Sequence, residues 1–302
     1  MTSPFHARDI RGRGRYYTAC QPSCPLGNQP LISITNAQGV IAKPALVPAA
    51  VKITAAKAWD VLPRMVALSR HTDDTSCATR RVADRCGRCR FCLTAEIKAE
   101  HRNQWEHTAD TGTRVHAHAE AAMTGRALPH DPEVAPYIDQ YQVWLNAWHI
   151  DPDKHVEAAE ITVYDHDNGY AGTGDVWIHL PTGPAGRRQL WLIDIKTSAH
   201  KPANTVYIDQ VLQLAALRYA PSGLLADDTE LVVPKFAGAA LLNLRTQSHA
   251  LIPLPADQAA HQAFLAAVKL QTFLHDQDVK TWVPLDVTTI PDPHTVPDKD
   301  VA

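Results

Sequence analysis

Two apolar segments that carry charged residues at fixed positions constrain this 302-residue chain most strongly. The segment GYAGTGDVWIHL begins at Gly169, and QLWLIDIKTS ends at Ser198 after an interruption rich in Pro and Gly. Apolar runs of this kind fill central strands, so we predict two β-strands joined by a hairpin-like loop. The first strand carries Asp175, and the second carries Asp194 and Lys196. Because side chains alternate along a strand, Asp194 and Lys196 are predicted to share one face.

These charged residues have two interpretations. They form either an ion pair on an edge strand or a functional site beside a central strand. Charged side chains are seldom buried without a partner or a task, and the run WLIDIKT is too apolar for an edge strand, so we favour a site. Two carboxylates and one ammonium group beside a twisted sheet suit a divalent metal that activates water against a phosphodiester.

Composition limits the classes of function. The net charge is −3 and the sequence pI is about 6.6, which argues against a wholly basic nucleic-acid coat but allows a local basic groove. No apolar run reaches membrane-spanning length and the N-terminal residues contain no apolar signal segment, so we expect no membrane partner and a cytoplasmic location. In that compartment, clustered cysteines favour metal binding or redox chemistry over disulfides.

A cysteine cluster with the spacing C-x8-C-x2-C-x2-C predicts a metal site, formed by Cys77, Cys86, Cys89 and Cys92. Short C-x2-C steps let two thiolates reach one ion, and four thiolates complete a tetrahedral zinc shell or hold an iron–sulfur cluster. Five arginines interleave the cysteines and predict contacts with a DNA backbone: Arg80, Arg81, Arg85, Arg88 and Arg90. The C-x3-C pair Cys20 and Cys24 is a weak signal, at least as typical of two unrelated thiols as of ligands.

The periodicity predicts strands near residues 157–164, 170–180, 189–197 and 238–254, the last as a hairpin. Helices are predicted over 49–62, over 93–110, from Gly112 or Thr113 to Gly125, over 137–150, from 205 onward and over 257–274. We divide the chain into an irregular N-terminal segment (1–30), a helical and Cys-rich metal-binding module (31–110), an α/β core (111–278) and a Pro/Asp-rich tail (279–302), in which we expect disorder from Pro284 onward.

Three further polar residues are candidates near the strand pair. His116 shares a helical face with Glu120, and from the pattern alone it is as typical of a polar surface as of a metal ligand. Glu160, in the strand HVEAAEITVY, either approaches the site or faces solvent. Gln213 lies on the same stripe as Leu217 of the helix after Lys196, and indicates a contact with a ligand or another buried polar group.

Taken in order, AGTGD, DIKTS and QLAALRYA resemble the motif series of PD-(D/E)XK nucleases. The series is most similar to the RecB-like exonucleases encoded by bacteriophages, which are related to CRISPR-adaptation nucleases. GTRVHAHAE at 112–120 matches the upstream histidine motif of that family, and ITNAQGVIAKPALV at 34–47 resembles the N-terminal segment of the phage members. The resemblance covers roughly residues 30–275. It implies a restriction-endonuclease-like mixed β-sheet flanked by helices, with the Cys-rich module on its N-terminal side.

The resemblance also implies roles for individual residues. His116, Asp175 and Asp194 would bind Mg²⁺ or Mn²⁺, helped by the main-chain carbonyl of residue 195. Lys196 would orient or deprotonate the attacking water and stabilise charge on the phosphate. Gln213 would contact DNA or brace the site.

Two positions depart from the family pattern. Leu217 stands where the family usually has Tyr, which affects the expected contact of the Gln helix rather than the metal chemistry. Iron–sulfur relatives place one Cys before the core and three after it, whereas all four clustered cysteines precede the core here. Zinc is therefore the first choice for this cluster, with iron–sulfur as the alternative.

The expected activity is metal-dependent hydrolysis of DNA by an exonuclease, acting on linear double-stranded or single-stranded ends in phage recombination or DNA processing, within the host cytoplasm. The alternatives are an endonuclease, or a catalytically inactive DNA-binding or zinc-organised interaction protein of the same fold. Some relatives form ring-shaped trimers, so a homo-oligomer is compatible with the resemblance, and the sequence leaves assembly open.

Overall fold

The fold is built on an antiparallel meander of three long strands, which is part of a mixed ten-stranded sheet flanked by helices. The computed structural model describes residues 5–69, 89–126, 128–225 and 227–285. The strands are β1 (Ala7–Ile10), β2 (Gly14–Tyr17), β3 (Leu31–Ser33), β4 (Val156–Asp165), β5 (Tyr170–Leu180), β6 (Gln189–Thr197), β7 (Ser222–Leu224), β8 (Glu230–Val232), β9 (Gly238–Leu244) and β10 (His249–Leu254).

Helices cover both faces of the sheet. They are α1 (Ile34–Ala37), α2 (Leu46–Asp60), α3 (Leu62–Ser69), α4 (Arg90–Met123), α5 (Ala135–Ala147), α6 (Pro152–His155), α7 (Ile208–Tyr219) and α8 (Gln258–Asp276). Short 3₁₀ helices span Gln38–Val40, Pro184–Gly186 and Val279–Thr281. No helix in the described ranges is long and apolar enough to cross a membrane.

The long strand β5 changes partner along one edge. Its first residues pair in parallel with β3, and residues 176–180 pair antiparallel with β6, while β4 runs along its other edge. Residues 172–175 therefore lie where the sheet passes from one partner to the other. β6 continues in parallel with β9, so the strand that carries Asp194 and Lys196 lies inside the sheet.

Two apolar cores pack against the two faces of the sheet. On one face, α7 and α8 cover Trp177 and Leu192; on the other, α4 and α5 cover Ile193 and Ile195. The alternation of Leu192, Ile193 and Ile195 between these cores is what a central strand requires. The strands and helices predicted for residues 137–275 are confirmed, with shifts of a few residues at their ends.

The N-terminal segment differs from the prediction. We expected residues 1–30 to be irregular, but β1 and β2 form a hairpin that joins the sheet through β3. The basic, Gly-rich sequence around this hairpin is typical of a loop, and its strands are fixed instead by Tyr16 and Tyr17, which are buried in two different cores. Long-range burial therefore overrides the local composition.

The helix predicted to begin at Gly112 or Thr113 was also placed wrongly. Helix α4 runs without interruption through that point, so the expected boundary between residues 110 and 111 falls inside one helix. Gly112 has a packing role, because a Cβ at this position would lie 3.3 Å from the Thr197 hydroxyl oxygen. The missing side chain lets α4 approach the end of β6, and this approach carries His116 to the sheet.

Candidate functional site

The site is centred on the ends of β5 and β6, where the sheet changes partner. Asp194 and Lys196 lie on one side of β6, and the Lys196 Nζ is 2.5 Å from the Asp194 Oδ2. Asp194 is 2% exposed, whereas 31% of the Lys196 side-chain surface is exposed to solvent. The ion pair therefore joins a buried carboxylate to an ammonium group at the surface of a cleft.

Asp175 links the two strands and the long helix. Its Oδ2 accepts a hydrogen bond of 2.5 Å from the main-chain N–H of Ile195, and its Oδ1 lies 3.1 Å from the Nδ1 of His116 on α4. A side chain thus takes the place of a main-chain carbonyl in bridging β5 to β6 at this point. The contact fixes the carboxylate and orients the imidazole.

Glu160 of β4 lies beside Asp175 and His116 because the alternation of side chains between the two faces of β4 breaks next to it. It lies opposite Asp175, between the registered pairs Ala159–Val176 and Ile161–Gly174. Ala158 and Ile161 face the same core although they are three residues apart, which a regular strand does not allow. Glu160 absorbs the irregularity with φ of +51°, a conformation that costs a non-glycine residue about 1–3 kcal/mol.

Three donor groups therefore converge at the site. One ligand atom each from His116, Glu160 and Asp175 lie within 4.8 Å of one another. Two carboxylates and one imidazole suit a divalent cation such as Mn²⁺ or Mg²⁺, with oxygen as the main donor. Asp194 is not in this group of three: its Oδ1 accepts a hydrogen bond of 2.8 Å from Gln213, and its Oδ2 contacts Lys196.

The pKa values show an excess of negative charge in the site. Burial, together with the charge of Asp175, raises the pKa of Glu160 to about 8. Burial opposes protonation of His116, but the charge and hydrogen bond of Asp175 outweigh it and raise the pKa of His116 to about 9. Burial likewise opposes ionisation of Asp175, yet the neighbouring His116 holds the pKa of Asp175 below its usual value. These raised pKa values favour the protonated forms of Glu160 and His116 at neutral pH.

Burial and neighbouring charges also shift the pKa values of Asp194 and Lys196. Burial raises the pKa of Asp194, because the nearby Lys196 offsets only part of the cost of a buried charge and Asp175 adds repulsion. Burial opposes the charge on Lys196, but the carboxylates of Asp194 and Asp175 outweigh it and raise the pKa of the amine. Lys196 is therefore an ammonium ion at neutral pH.

Helix α7 braces the site from the opposite face of the sheet to α4. Gln213 donates to Asp194, while Leu217, one turn later, is 1% exposed and packs in the core near Gly174. The departure from Tyr at position 217 therefore leaves the contact between Gln213 and Asp194 in place. Gln210 stays near the start of the helix, where its side chain accepts a hydrogen bond from the main-chain N–H of Tyr207.

The site opens into a cleft of about 560 Å³ whose floor includes His116, Glu160, Asp175 and Lys196. Two residues not predicted from the sequence line its walls. Arg15 comes from the N-terminal hairpin, and the half-exposed Trp105 comes from α4. A guanidinium group and an indole ring beside a cluster of carboxylates offer both phosphate contacts and a stacking surface.

Only part of the predicted cysteine cluster lies within the described residues. Cys89 caps the N-terminus of α4, where its Sγ accepts a hydrogen bond of 3.4 Å from the main-chain N–H of Cys92, and both cysteines are buried. Arg90 is exposed at the first turn of this helix. The remaining predicted residues lie outside the described ranges: Cys77, Cys86, Arg80, Arg81, Arg85 and Arg88.

The predicted site residues of the core thus lie in one network: His116, Asp175, Asp194, Lys196 and Gln213. The sequence left Glu160 open between this site and solvent, and the structure places it against Asp175. The available signal was a Glu near the middle of a mostly apolar strand. Arg15 had no such signal, because its position depends on a hairpin that the sequence does not predict.

No protein-family profile matches the chain, and no curated protein sequence matches it. Among solved structures, a match is found to the crystal structure of SSO0001, at 16% sequence identity and a TM-score of 0.26. The alignment covers 47% of this chain and 58% of that chain.

Proposed function

We propose that the protein is a divalent-metal-dependent nuclease of the PD-(D/E)XK type that hydrolyses DNA. The observation that carries the proposal is the convergence of His116, Asp175 and Glu160 beside the Asp194–Lys196 ion pair, at the point where β5 passes from β3 to β6. A partly buried cluster of acids, next to an ammonium group at the edge of an open cleft, fits a site that binds a metal and a polyanionic substrate.

The residues fit Mg²⁺ or Mn²⁺ on the chemistry of their donors. His116, Asp175 and Glu160 offer three donor atoms within reach of one ion, and Asp194 lies close enough to influence the charge of His116. When bound, such a cation generates a water nucleophile at neutral pH and stabilises negative charge on the phosphate oxygens. The raised pKa of Glu160 supports this fit, because a cation favours its ionised form.

The residues around the metal-binding group each have a physical role in this reaction. Lys196 keeps its charge and is partly exposed, so it is suited to hold a phosphate oxygen and to stabilise the charge that develops there. Asp194 positions Lys196, and Gln213 in turn fixes Asp194 by donating to its other oxygen. The contact of Asp175 with the main-chain N–H of Ile195 holds the ends of β5 and β6 at a fixed spacing.

The walls of the cleft suit a nucleic-acid strand. We assign phosphate contact to Arg15 and base stacking to Trp105, because both residues line the cleft above the acidic floor. The preference for DNA ends, and therefore exonuclease activity, rests on the resemblance of the DIKTS and QLAALRYA motifs to those of phage RecB-like exonucleases. The role in phage recombination or DNA processing rests on the same resemblance.

The test is hydrolysis of end-labelled linear DNA with Mg²⁺, with Mn²⁺ or with EDTA, and with covalently closed circular DNA as a second substrate. We expect metal-dependent release of nucleotides from linear DNA only. Substitutions Asp175→Asn and Lys196→Met should each lower the rate by roughly 100-fold or more, in line with the loss of one charged stabilising group. Asp276→Asn changes an exposed acid that pairs with Arg13 and serves as the matched control.

Three results would count against the proposal. The first is an absence of metal-dependent cleavage by the purified protein. The second is cleavage that persists unchanged in the Asp175 and Lys196 variants, which would assign the activity to a contaminant or to another site. Cleavage of closed circles would replace the exonuclease by an endonuclease while retaining the catalytic assignment.

A further inference from the structure

A second cluster of metal-ligating side chains lies where the N-terminal residues meet the loop between β7 and β8. His6 and Cys24 are each 4% exposed, and the side chain of Asp228 is 13% exposed. The His6 Nε2 is 2.7 Å from the Asp228 Oδ1, and the His6 Nδ1 is 3.9 Å from the Cys24 Sγ. One ligand atom from each residue lies within 4.8 Å of the other two.

A second thiol stands beside this group. Cys20 is exposed, and its Sγ lies 3.9 Å from the Asp228 Oδ2, the oxygen that also accepts a hydrogen bond of 3.1 Å from Gln21. The chain between the two cysteines is held by main-chain hydrogen bonds, from Cys24 N–H to Gln21 and from Ala19 N–H to Gly27. Both thiols are thus presented to the same carboxylate by one closed loop.

The backbone of Asp228 supports a specific role for its carboxylate. Asp228 has φ of +64°, a left-handed conformation that a residue with a side chain adopts at a cost unless the side chain or its surroundings compensate. Its main-chain N–H bonds to Leu225, which closes a tight turn. This turn directs one carboxylate oxygen at His6 and the other at the Cys20 thiol.

We propose that His6, Cys20, Cys24 and Asp228 bind one structural Zn²⁺ ion. Two thiolates, an imidazole and a carboxylate are all zinc ligands, and four of them complete a tetrahedral shell without an open position for substrate. Zinc bonds of about 2.0–2.3 Å place neighbouring ligand atoms roughly 3–4 Å apart. The donor atoms of His6, Cys24 and Asp228 lie within 4.8 Å of one another, and the Cys20 Sγ is 3.9 Å from the Asp228 Oδ2, so small side-chain movements bring the four onto one ion. The sulfur ligands disfavour Mg²⁺ and Ca²⁺, which take oxygen.

The place of this site in the sheet indicates what the ion would do. β1 and β8 are the two ends of the strand order β1-β2-β3-β5-β4-β7-β8, so His6 precedes one end strand and Asp228 precedes the other. A small apolar core lies between them and contains Leu26 and Tyr164. The ion would fasten the two ends of the curled sheet over this core and hold the hairpin that carries Arg15. The proposal stands whether or not the protein is a nuclease.

The experiment measures zinc in the full-length chain, purified under reducing conditions and reconstituted with Zn²⁺, by mass spectrometry of the metal. We expect Cys20→Ser and Asp228→Asn each to hold one equivalent of zinc less than the wild type, or to bind zinc more weakly by at least roughly 10–100-fold, the cost of losing even a residue that only orients a ligand. We expect both variants to fold, because Cys20 is exposed and Asn adopts the left-handed conformation of Asp228 as readily as Asp does. Asp227→Asn alters the neighbouring exposed acid and is the matched control.

The variant Cys89→Ser distinguishes zinc bound by the cysteine cluster at residues 77–92 from zinc bound at this site. The zinc lost in Cys89→Ser and the zinc lost in Cys20→Ser should be additive. A Co²⁺-reconstituted protein provides a second readout, since a decrease of thiolate-to-cobalt absorption in Cys20→Ser, measured in the Cys89→Ser background, reports on the Cys20 ligand itself. Equal metal content in the wild type, Cys20→Ser and Asp228→Asn would overturn the proposal.

Discussion

The interaction between His116 and Asp175 gives the sharpest quantitative test of the site. Substitution Asp175→Asn removes the carboxylate whose charge and hydrogen bond keep His116 protonated. Burial alone disfavours the imidazolium ion, so the pKa of His116 should fall from about 9 to its ordinary 6.5 or below. The difference between about 9 and 6.5 corresponds to about 3.4 kcal/mol, at 1.36 kcal/mol for each pKa unit.

The sign of the pH dependence follows from the same values. The pKa of His116 is higher in the folded chain than in the unfolded one, so its stabilising contribution is fully present below about pH 6.5. The contribution is lost as the pH rises through about 9. In Asp175→Asn, this part of the pH dependence of the unfolding free energy should disappear. About 3.4 kcal/mol is an upper limit, because the His116 side chain is 28% exposed and solvent screens the pair.

The assay is an NMR titration of the histidine ring protons between pH 5 and 10 in metal-free protein with EDTA. The resonance of His116 is assigned by its absence in His116→Gln, and Asp276→Asn is the control because Asp276 pairs with Arg13 outside the site. A His116 resonance that still titrates near pH 9 in Asp175→Asn would refute the reasoning. It would mean that another group holds the imidazolium charge.

Three further predictions concern stability. Glu160→Gln removes a carboxyl group whose pKa is about 8 in the folded chain and near 4.5 in the unfolded chain. Above pH 8, the unfolding free energy of the metal-free variant, measured with urea, should therefore exceed that of the wild type by up to about 5 kcal/mol, and below pH 4.5 the two should be equal. Lys196→Met leaves the buried Asp194 without its cation and should destabilise the protein by about 3 kcal/mol at pH 8. The loss should shrink as the pH falls, because burial raises the pKa of Asp194 and a protonated carboxyl needs no cation; an equal loss at acidic pH would contradict this. Gly172→Ala places a Cβ 2.3 Å from the Ile34 Cδ1 and should lower the unfolding free energy by about 1–3 kcal/mol, a loss that the double variant with Ile34→Ala should reduce.

The strands and helices of the core could be predicted because their signals are local. The apolar runs GYAGTGDVWIHL and WLIDIKT identify β5 and β6, and the predicted ends of both strands agree with the structure. The same period places Asp194 and Lys196 on one side of β6, so their shared face follows from the sequence, whereas the ion pair between them is seen only in the structure.

The sequence could not predict the contribution of distant segments to the site. The GRGR segment resembles a loop, but burial of Tyr16 and Tyr17 makes it a hairpin and so brings Arg15 to the cleft. Gly112 resembles a helix start, but its role is to let α4 approach Thr197. In both cases the deciding contact is with a residue far away along the chain, which a local pattern does not contain.

By itself, the sequence determined the chemistry that is available: a strand pair with two carboxylates and an ammonium group, a helical histidine and a glutamine one helix later. Only the tertiary structure decided how these groups meet. The irregularity at Glu160, with φ of +51°, turns a third acid toward Asp175, because packing on both faces of the sheet fixes Ala158 and Ile161 in the same core. The sequence specifies the type of each side chain. The direction of a side chain at a break in strand alternation depends instead on which neighbouring residues are buried in the core.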